Sequence, residues 1–166
     1  MRILGIDPGS RICGWGIIEE TREARNLRHI DCGIVTTKSS VDFPTRLGTI
    51  FDGIEKVIEE YRPDQACIEN VFYQKNARSA LILGQARGAA IVACHKSGLK
   101  VFEYSPAQIK QAVCGYGRAE KQQVARMVMA ILGLPEIAQA DASDALACAI
   151  CHSSSYRFAA AIKQAK

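Results

Sequence analysis

The sequence lacks any long hydrophobic run. Among its 166 residues, no apolar stretch approaches the roughly 20 residues that a membrane-spanning helix needs. Near the N-terminus, Asp7 and Pro8 interrupt the apolar stretch that a secretory signal peptide would require. We therefore expect a soluble, cytoplasmic protein that does not associate with a membrane.

The sequence also lacks internal repeats, low-complexity tracts and linkers. Its length fits one globular domain, and its charged fraction of 23% with five prolines excludes an intrinsically disordered chain. We predict a single domain over residues 1–166, with the informative motifs in residues 2–152 and a C-terminal tail from about residue 153 to 166.

Several common catalytic motifs are missing. No lysine follows residues 9–10 (GS), so there is no P-loop, and residues 14–16 (GWG) lack the third glycine of a dinucleotide-binding fingerprint. The three histidines, at positions 29, 95 and 152, do not neighbour a plausible nucleophile. A serine or cysteine triad therefore has no support.

The seven cysteines do not form the spacing of a disulfide framework or a structural zinc site. An odd number of cysteines without an export signal is typical of a reducing compartment. Residues 148–152 (CAICH) match a c-type haem attachment pattern in form, but they continue a predicted helix. We expect these cysteines to be free thiols.

The net charge of +4 is unevenly distributed. Residues 1–69 carry a net charge of −3, residues 70–130 carry +7, and residues 131–166 are neutral. A basic middle third is either a solvated face or a contact surface for a polyanion such as nucleic acid.

The order of the predicted elements is that of an α/β domain. Strands are predicted over residues 2–7, 13–20, 27–37, 65–69 and 100–104. Helices are predicted over residues 44–61 and 76–97, from residue 105, over 119–132, and from 141 to beyond 152. This order predicts a mixed five-stranded sheet, three antiparallel strands followed by parallel additions, flanked by helices.

Four acidic residues lie where a charge is costly without a partner. Asp7 and Glu69 end two apolar strands, and Asp141 and Asp144 share one face at the start of the last helix. Ligands gather at the carboxyl ends of strands in such sheets, so the four together predict a site for a hard cation such as Mg²⁺. Taken singly, they also fit a turn, a surface acid and a helix N-cap with its capping box.

The motifs around these acids follow one register over residues 2–152. They are residues 5–11 (GIDPGSR), 14–16 (GWG), 68–72 (IENVF), 76–77 (NA), 83–88 (LGQARG) and 140–147 (ADASDALA). Together they resemble the RuvC family of crossover (Holliday) junction endodeoxyribonucleases. The first motif alone also resembles sugar kinases and actin-like ATPases, but 166 residues leave no room for the second lobe of such an ATPase.

The resemblance implies a ribonuclease-H-like fold and a homodimer that resolves four-way DNA junctions in recombination and repair. It implies Mg²⁺-dependent hydrolysis to a 5′-phosphate and a 3′-hydroxyl, with two ions per subunit and Mn²⁺ able to substitute. The metal-binding carboxylates would be Asp7, which bridges both ions, with Glu69, Asp141 and Asp144. Lys121 would add charge stabilisation near the scissile phosphate. The RuvA–RuvB branch-migration complex is implied as a partner.

Further DNA contacts follow from the same resemblance. Phe72, beside Tyr73, matches an aromatic residue that would stack on a base at the crossover. Lys110 and Lys121 match family positions that would contact phosphates, and Lys75 and Arg118 of the basic segment over residues 70–130 are also expected to contact DNA. The structural alternatives are a core position for Phe72 and a solvated helix face for the lysines.

The small residues of the helix predicted over 76–97 make it the candidate dimer interface. They are Gly84, Ala86, Gly88, Ala89 and Ala90. Packing of this helix against the sheet is the alternative interpretation. Two other functions remain open from the sequence, a ribonuclease-H-fold nuclease acting on structured RNA and a non-catalytic DNA-binding module.

Overall fold

The computed structural model describes residues 1–21, 26–70, 76–137 and 139–164, with side chains as far as residue 158. The chain opens with three strands, β1 (Arg2–Asp7), β2 (Ile12–Glu20) and β3 (Leu27–Thr36). Two helix–strand pairs follow, α1 (Phe43–Tyr61) with β4 (Gln65–Glu69), and α2 (Ala77–Lys96) with β5 (Lys100–Tyr104). The last three elements are α3 (Pro106–Cys114), α4 (Lys121–Leu132) and α5 (Ala140–Gln164).

The five strands form one sheet in the order β3-β2-β1-β4-β5. β1, β2 and β3 pair antiparallel, whereas β4 adds to β1 and β5 adds to β4 in parallel. The prediction of three antiparallel strands followed by parallel additions is therefore confirmed.

The helix boundaries follow from local capping. The Ser105 side chain accepts a hydrogen bond from the Gln108 backbone N–H, and Pro106 occupies the first turn, so α3 begins where the sequence predicted. Helix α4 begins at Lys121, two residues later than predicted, because Glu120 is extended and forms a capping box with Gln123. Gly133 ends α4 in the left-handed conformation.

Alternate residues of the central strands face two separate helical layers. Ile3 and Cys67 pack with Leu146 and the other buried residues of α3, α4 and α5. Leu4 and Ile6 pack on the opposite face against α1 and α2. Because side chains alternate along a strand, the last residue of β1 and the last residue of β4 face the layer that contains α5.

The middle of α5 is tied to the parallel edge of the sheet by His152, which is fully buried. The Tyr104 hydroxyl lies 2.8 Å from its Nδ1, and its Nε2 lies 2.7 Å from the Gln65 side-chain oxygen. Burial lowers the pKa of His152 to about 4. In its neutral form the ring accepts from Tyr104 and donates to Gln65, so both ring nitrogens are satisfied.

The seven cysteines are free thiols. Cys148 and Cys151 are almost fully buried within α5, as expected of residues that continue a helix. No helix within the described ranges is both long and apolar enough to cross a membrane.

Candidate active site

Asp7 and Glu69 lie side by side at the carboxyl end of the sheet. Ile6 pairs with Ile68 in the parallel ladder between β1 and β4, and each acid is the next residue of its strand. The alternation of the strands turns both carboxylates toward α5. The sequence prediction that the two strand ends bring these acids together is consistent with this register.

Helix α5 approaches this edge closely because glycines face it. A Cβ atom on Gly14, the residue paired with Asp7, would lie 2.1 Å from the Asp141 carbonyl oxygen. One on Gly5 would lie 2.0 Å from the Ala145 carbonyl oxygen. Any side chain at either position would collide with the helix backbone. The two glycines therefore let the first turns of α5, with Asp141 and Asp144, rest directly on the sheet.

The four carboxylates act on one another electrostatically. Burial, followed by repulsion from Asp144, Glu69 and Asp141, raises the pKa of Asp7 to about 8, with Lys121 acting in the opposite direction. Cations that neutralise this cluster are therefore strongly favoured at this edge of the sheet.

Burial and carboxylate repulsion also act on Glu69. Burial raises the pKa of Glu69, and the Asp144 carboxylate adds to the rise, whereas Lys121 and Lys110 counteract it. Asp7 and Glu69, from two strands, thus share Asp144 of α5 as a repulsive neighbour.

Lys121, the first residue of α4, forms an ion pair with this cluster. Its Nζ lies 2.6 Å from Asp144 Oδ2. The hydrogen bond to Asp144 raises the pKa of Lys121, so its ammonium form is favoured. The Lys121 side chain is 64% exposed and therefore remains accessible to a ligand from solvent.

A cavity of about 280 Å³ opens beside the carboxylates. Glu69 and Asp144 form its acidic wall, and Lys110 and Lys121 form its basic wall. The remaining lining is mostly apolar and comes from Pro106, Ile109, Val124 and Ala147. Acidic and basic groups thus face a common space, which suits a phosphate held next to cations.

The donor set fits Mg²⁺ rather than a softer metal, because every candidate ligand is a carboxylate oxygen. Within the described parts of the chain, no three acidic, histidine or cysteine side chains converge closely enough to enclose one ion. Mg²⁺ is commonly held by one or two carboxylates together with waters and substrate phosphates. A hard divalent cation bound here would therefore need waters or substrate phosphates to complete its coordination.

One other predicted DNA contact, Arg118, lies away from the cavity. It is exposed between α3 and α4. Phe72, Tyr73 and Lys75 lie outside the described residues.

One residue near the site carried no predicted role. Arg87 of α2 donates a hydrogen bond from Nε to the Glu69 carbonyl oxygen at 3.1 Å. The signal in the sequence is an arginine between Ala86 and Gly88, in a run of small residues. Its target could not be read from the sequence, since the contact joins residues 18 positions apart through the fold.

The strand order β3-β2-β1-β4-β5 is that of a ribonuclease-H-like fold. The family model for "Crossover junction endodeoxyribonuclease RuvC" matches residues 3–152. The chain belongs to the RuvC family.

Relatives of the same description are similar over nearly the whole chain. The protein from Trichlorobacter lovleyi is 59% identical over 95% of this chain and 87% of its own. The protein from Geobacter sulfurreducens is also 59% identical, over 93% of each chain. Both are named crossover junction endodeoxyribonuclease RuvC.

Solved structures agree with the fold. The Thermus thermophilus RuvC structure has a TM-score of 0.87 at 35% identity and covers 96% of this chain and 97% of its own. T. thermophilus RuvC in complex with Holliday junction substrate has a TM-score of 0.90 at 34% identity, with 96% of each chain covered. The predictions of a ribonuclease-H-like fold and of a crossover junction endonuclease are confirmed.

Proposed function

We propose that the chain resolves four-way DNA junctions as a homodimer, by Mg²⁺-dependent hydrolysis in which Asp7, Glu69, Asp141 and Asp144 hold the cations. The observation that carries this proposal is the carboxylate cluster at the edge of the sheet, where burial and mutual repulsion raise the pKa of Asp7 to about 8. Such a cluster is unfavourable unless cations neutralise it.

The four carboxylates would act as the cation ligands. Two ions would be held at this edge of the sheet, the number that the family resemblance implies. Their ligands would be Asp7 and Glu69 at the strand ends and Asp141 and Asp144 of α5. When bound, the ions lower the pKa of the attacking water and neutralise charge on the scissile phosphate and the leaving oxygen. The expected products are a 5′-phosphate and a 3′-hydroxyl, and Mn²⁺ is expected to replace Mg²⁺.

Lys121 would exchange partners when DNA binds. Its Nζ is paired with Asp144 at 2.6 Å, and its side chain is mostly exposed. Once cations neutralise Asp144, the ammonium group would turn to a phosphate oxygen near the scissile bond. Lys110, on the same wall of the cavity, would hold a neighbouring phosphate as a point charge.

The remaining DNA contacts are predicted from the sequence alone. Phe72 and Tyr73 are proposed to stack on bases at the crossover, and Lys75 and Arg118 to contact phosphates outside the cavity. The RuvA–RuvB complex as a partner and the cytoplasm as the location stay predictions of the family resemblance.

A homodimer is supported by the exposed face of α2. Leu81 is 66% exposed and Val92 is 50% exposed on this helix, and the space around Gly84 and Gly88 is open. Ala86 and Ala90, counted from the sequence among the interface candidates, are fully buried within the subunit, so they serve packing instead. A junction with near two-fold symmetry needs two matched cuts, which a two-fold dimer supplies.

The decisive experiment separates binding from cutting. Asp7→Asn is expected to abolish cleavage of a synthetic four-way junction in Mg²⁺, because it removes the central charged ligand. Junction binding measured in EDTA should persist, since it depends on basic side chains. Asp52→Asn, at an exposed position of α1, is the matched control and should cut normally.

Linear duplex DNA and an RNA hairpin should be included as substrates, each with and without Mg²⁺. Equal cutting of the junction by Asp7→Asn and the unchanged protein would contradict the metal assignment. Preferential cutting of the RNA hairpin would instead favour the alternative of a nuclease for structured RNA.

A further inference from the structure

Arg87 lies in the middle of α2, between Ala86 and Gly88. Its side chain is only 17% exposed, although the guanidinium group is charged at every relevant pH. A charge held in such a position needs partners. The structure supplies two, and both lie at the end of the sheet that carries the carboxylates.

The first partner is the main chain of Glu69. Arg87 Nε donates to the Glu69 carbonyl oxygen at 3.1 Å. On the other edge of the same peptide group, the Asn70 N–H donates to the Tyr104 carbonyl oxygen at 2.8 Å. The peptide that follows Glu69 is therefore held from both sides, although β4 ends at this residue.

The second partner is Glu103 of β5. Arg87 Nη2 lies 2.7 Å from Glu103 Oε2, an ion pair whose alignment is too oblique for a hydrogen bond. Glu103 pairs with Ile68 in the β4–β5 ladder, so it neighbours the residue that precedes Glu69. The guanidinium thus spans two adjacent strands on the α2 face of the sheet, opposite the face from which the Glu69 side chain points toward α5.

We propose that Arg87 is a positioning residue for Glu69, and that it sets the direction of this carboxylate by fixing the peptide plane that follows it. The inference rests on the proposed role of Glu69 as a cation ligand. The planar guanidinium can contact the Glu69 carbonyl and the Glu103 carboxylate together, whereas a lysine ammonium is a single point of charge. Residues that orient a metal ligand commonly affect activity about tenfold to a hundredfold.

A purely structural role for Arg87 would have different consequences. If Arg87 did no more than anchor α2 to the sheet, its loss would lower the melting temperature, and the folded fraction would cut at the normal rate. A positioning role lowers kcat at saturating junction and Mg²⁺, and it leaves the affinity for the junction in EDTA unchanged.

The test compares Arg87→Ala and Arg87→Lys with the unchanged protein, at a temperature where melting curves show each variant to be folded. We expect kcat to fall about tenfold to a hundredfold in both variants. Added guanidinium ion should restore part of the activity of Arg87→Ala, because the substitution vacates the guanidinium position and the Glu103 side chain beside it is 48% exposed, whereas NaCl at the same ionic strength should not. Lys56→Ala, on the exposed surface of α1, controls for loss of one positive charge.

An unchanged kcat in Arg87→Ala would overturn the inference, as would a normal rate in Arg87→Lys or a defect confined to KM. Glu69→Gln distinguishes this outcome from failure of the proposed function. If Glu69→Gln cuts normally, Glu69 is not a required ligand and the proposed function is wrong in that part. If Glu69→Gln is inactive and Arg87→Ala is normal, only the role of Arg87 is rejected.

Discussion

Asp7 is held in the folded protein in a position that disfavours its charge. Burial and three neighbouring carboxylates raise its pKa from 3.8 to about 8. An acid whose pKa rises on folding binds its proton more tightly in the folded state. Its ionisation therefore destabilises the fold as the pH rises from about 4 to about 8. Active sites commonly trade stability for function in this way.

Because ionised Asp7 destabilises the fold, we predict that Asp7→Asn stabilises the metal-free protein. In EDTA at pH 8, the variant should melt on the order of 5 °C above the unchanged protein, since a neutral amide relieves the repulsion. The difference should shrink as the pH is lowered toward 4, because Asp7 then becomes protonated. Mg²⁺ should raise the melting temperature of the unchanged protein more than that of the variant. A variant less stable than the unchanged protein throughout this pH range would contradict the charge argument.

The site residues differ in how far the sequence could reveal them. The proximity of Asp7 and Glu69 was predictable, because each acid ends an apolar strand and parallel strands end at the same edge of the sheet. Asp144 was predictable as a member of a spaced pair, but its ion pair with Lys121 joins α4 and α5 through the fold. Arg87 had no predicted contact, because its partners, the Glu69 main-chain carbonyl and the Glu103 carboxylate, lie 16 to 18 positions away in the chain and are brought together only by the fold.

At the scale of elements, the placement of α5 decides whether the four acids meet. Gly5 and Gly14 allow its first turns to touch the sheet, and His152 anchors its middle to β4 and β5. The boundaries of β4 were predicted to the residue, because its apolar run lies between Pro63 and the polar pair Glu69 and Asn70. The close approach of α5 could not be predicted, since it depends on which glycines face the helix.

Gly14→Ala should therefore disturb both stability and activity. The added methyl group would lie 2.1 Å from the Asp141 carbonyl oxygen, so α5 has to move, at a cost on the order of 2–3 kcal/mol in the free energy of unfolding. Cleavage at a temperature where the variant is folded should also fall, because Asp141 and Asp144 are displaced from Asp7. Urea unfolding and junction cleavage measure the two effects.

Gly48→Ala is the matched control for this prediction. Gly48 lies within α1, and nothing lies within 4 Å of a Cβ atom placed on it. Alanine there should stabilise the protein by up to about 1 kcal/mol through its higher helix propensity, with normal cleavage. If both glycine variants behaved alike, close packing of α5 on β2 would not be what positions the acids.

At the scale of the whole molecule, the proposed dimer depends on apolar side chains that the subunit does not bury, Leu81 and Val92 of α2. Replacing both Leu81 and Val92 with Glu should give a monomer, because the charges would be buried at the α2 contact. Light scattering measures the mass, and a cruciform plasmid distinguishes paired cuts from single nicks, which should accumulate in the variant. Phe158→Glu, at a residue that is 71% exposed on α5, is the control and should remain dimeric. A double variant of dimer mass would place the interface elsewhere.

The distribution of charge predicts how binding responds to salt. The net charge of +4 combines an acidic first part, which contains Asp7 and Glu69, with the +7 of residues 70–130. The acidic part repels DNA until cations bind, so affinity measured without metal depends on the basic segment. Each phosphate that a basic side chain neutralises releases counterions, and log affinity falls with log salt by about 0.9 per contact. Junction affinity in EDTA should therefore fall at least about tenfold between about 50 and 200 mM salt.

Lys110→Ala should lower the slope by about one, because it removes one contact in the cavity, and Lys56→Ala in the acidic part should leave the slope unchanged. A flat response to salt would mean that the basic segment is a solvated face, and that shape rather than charge binds the junction.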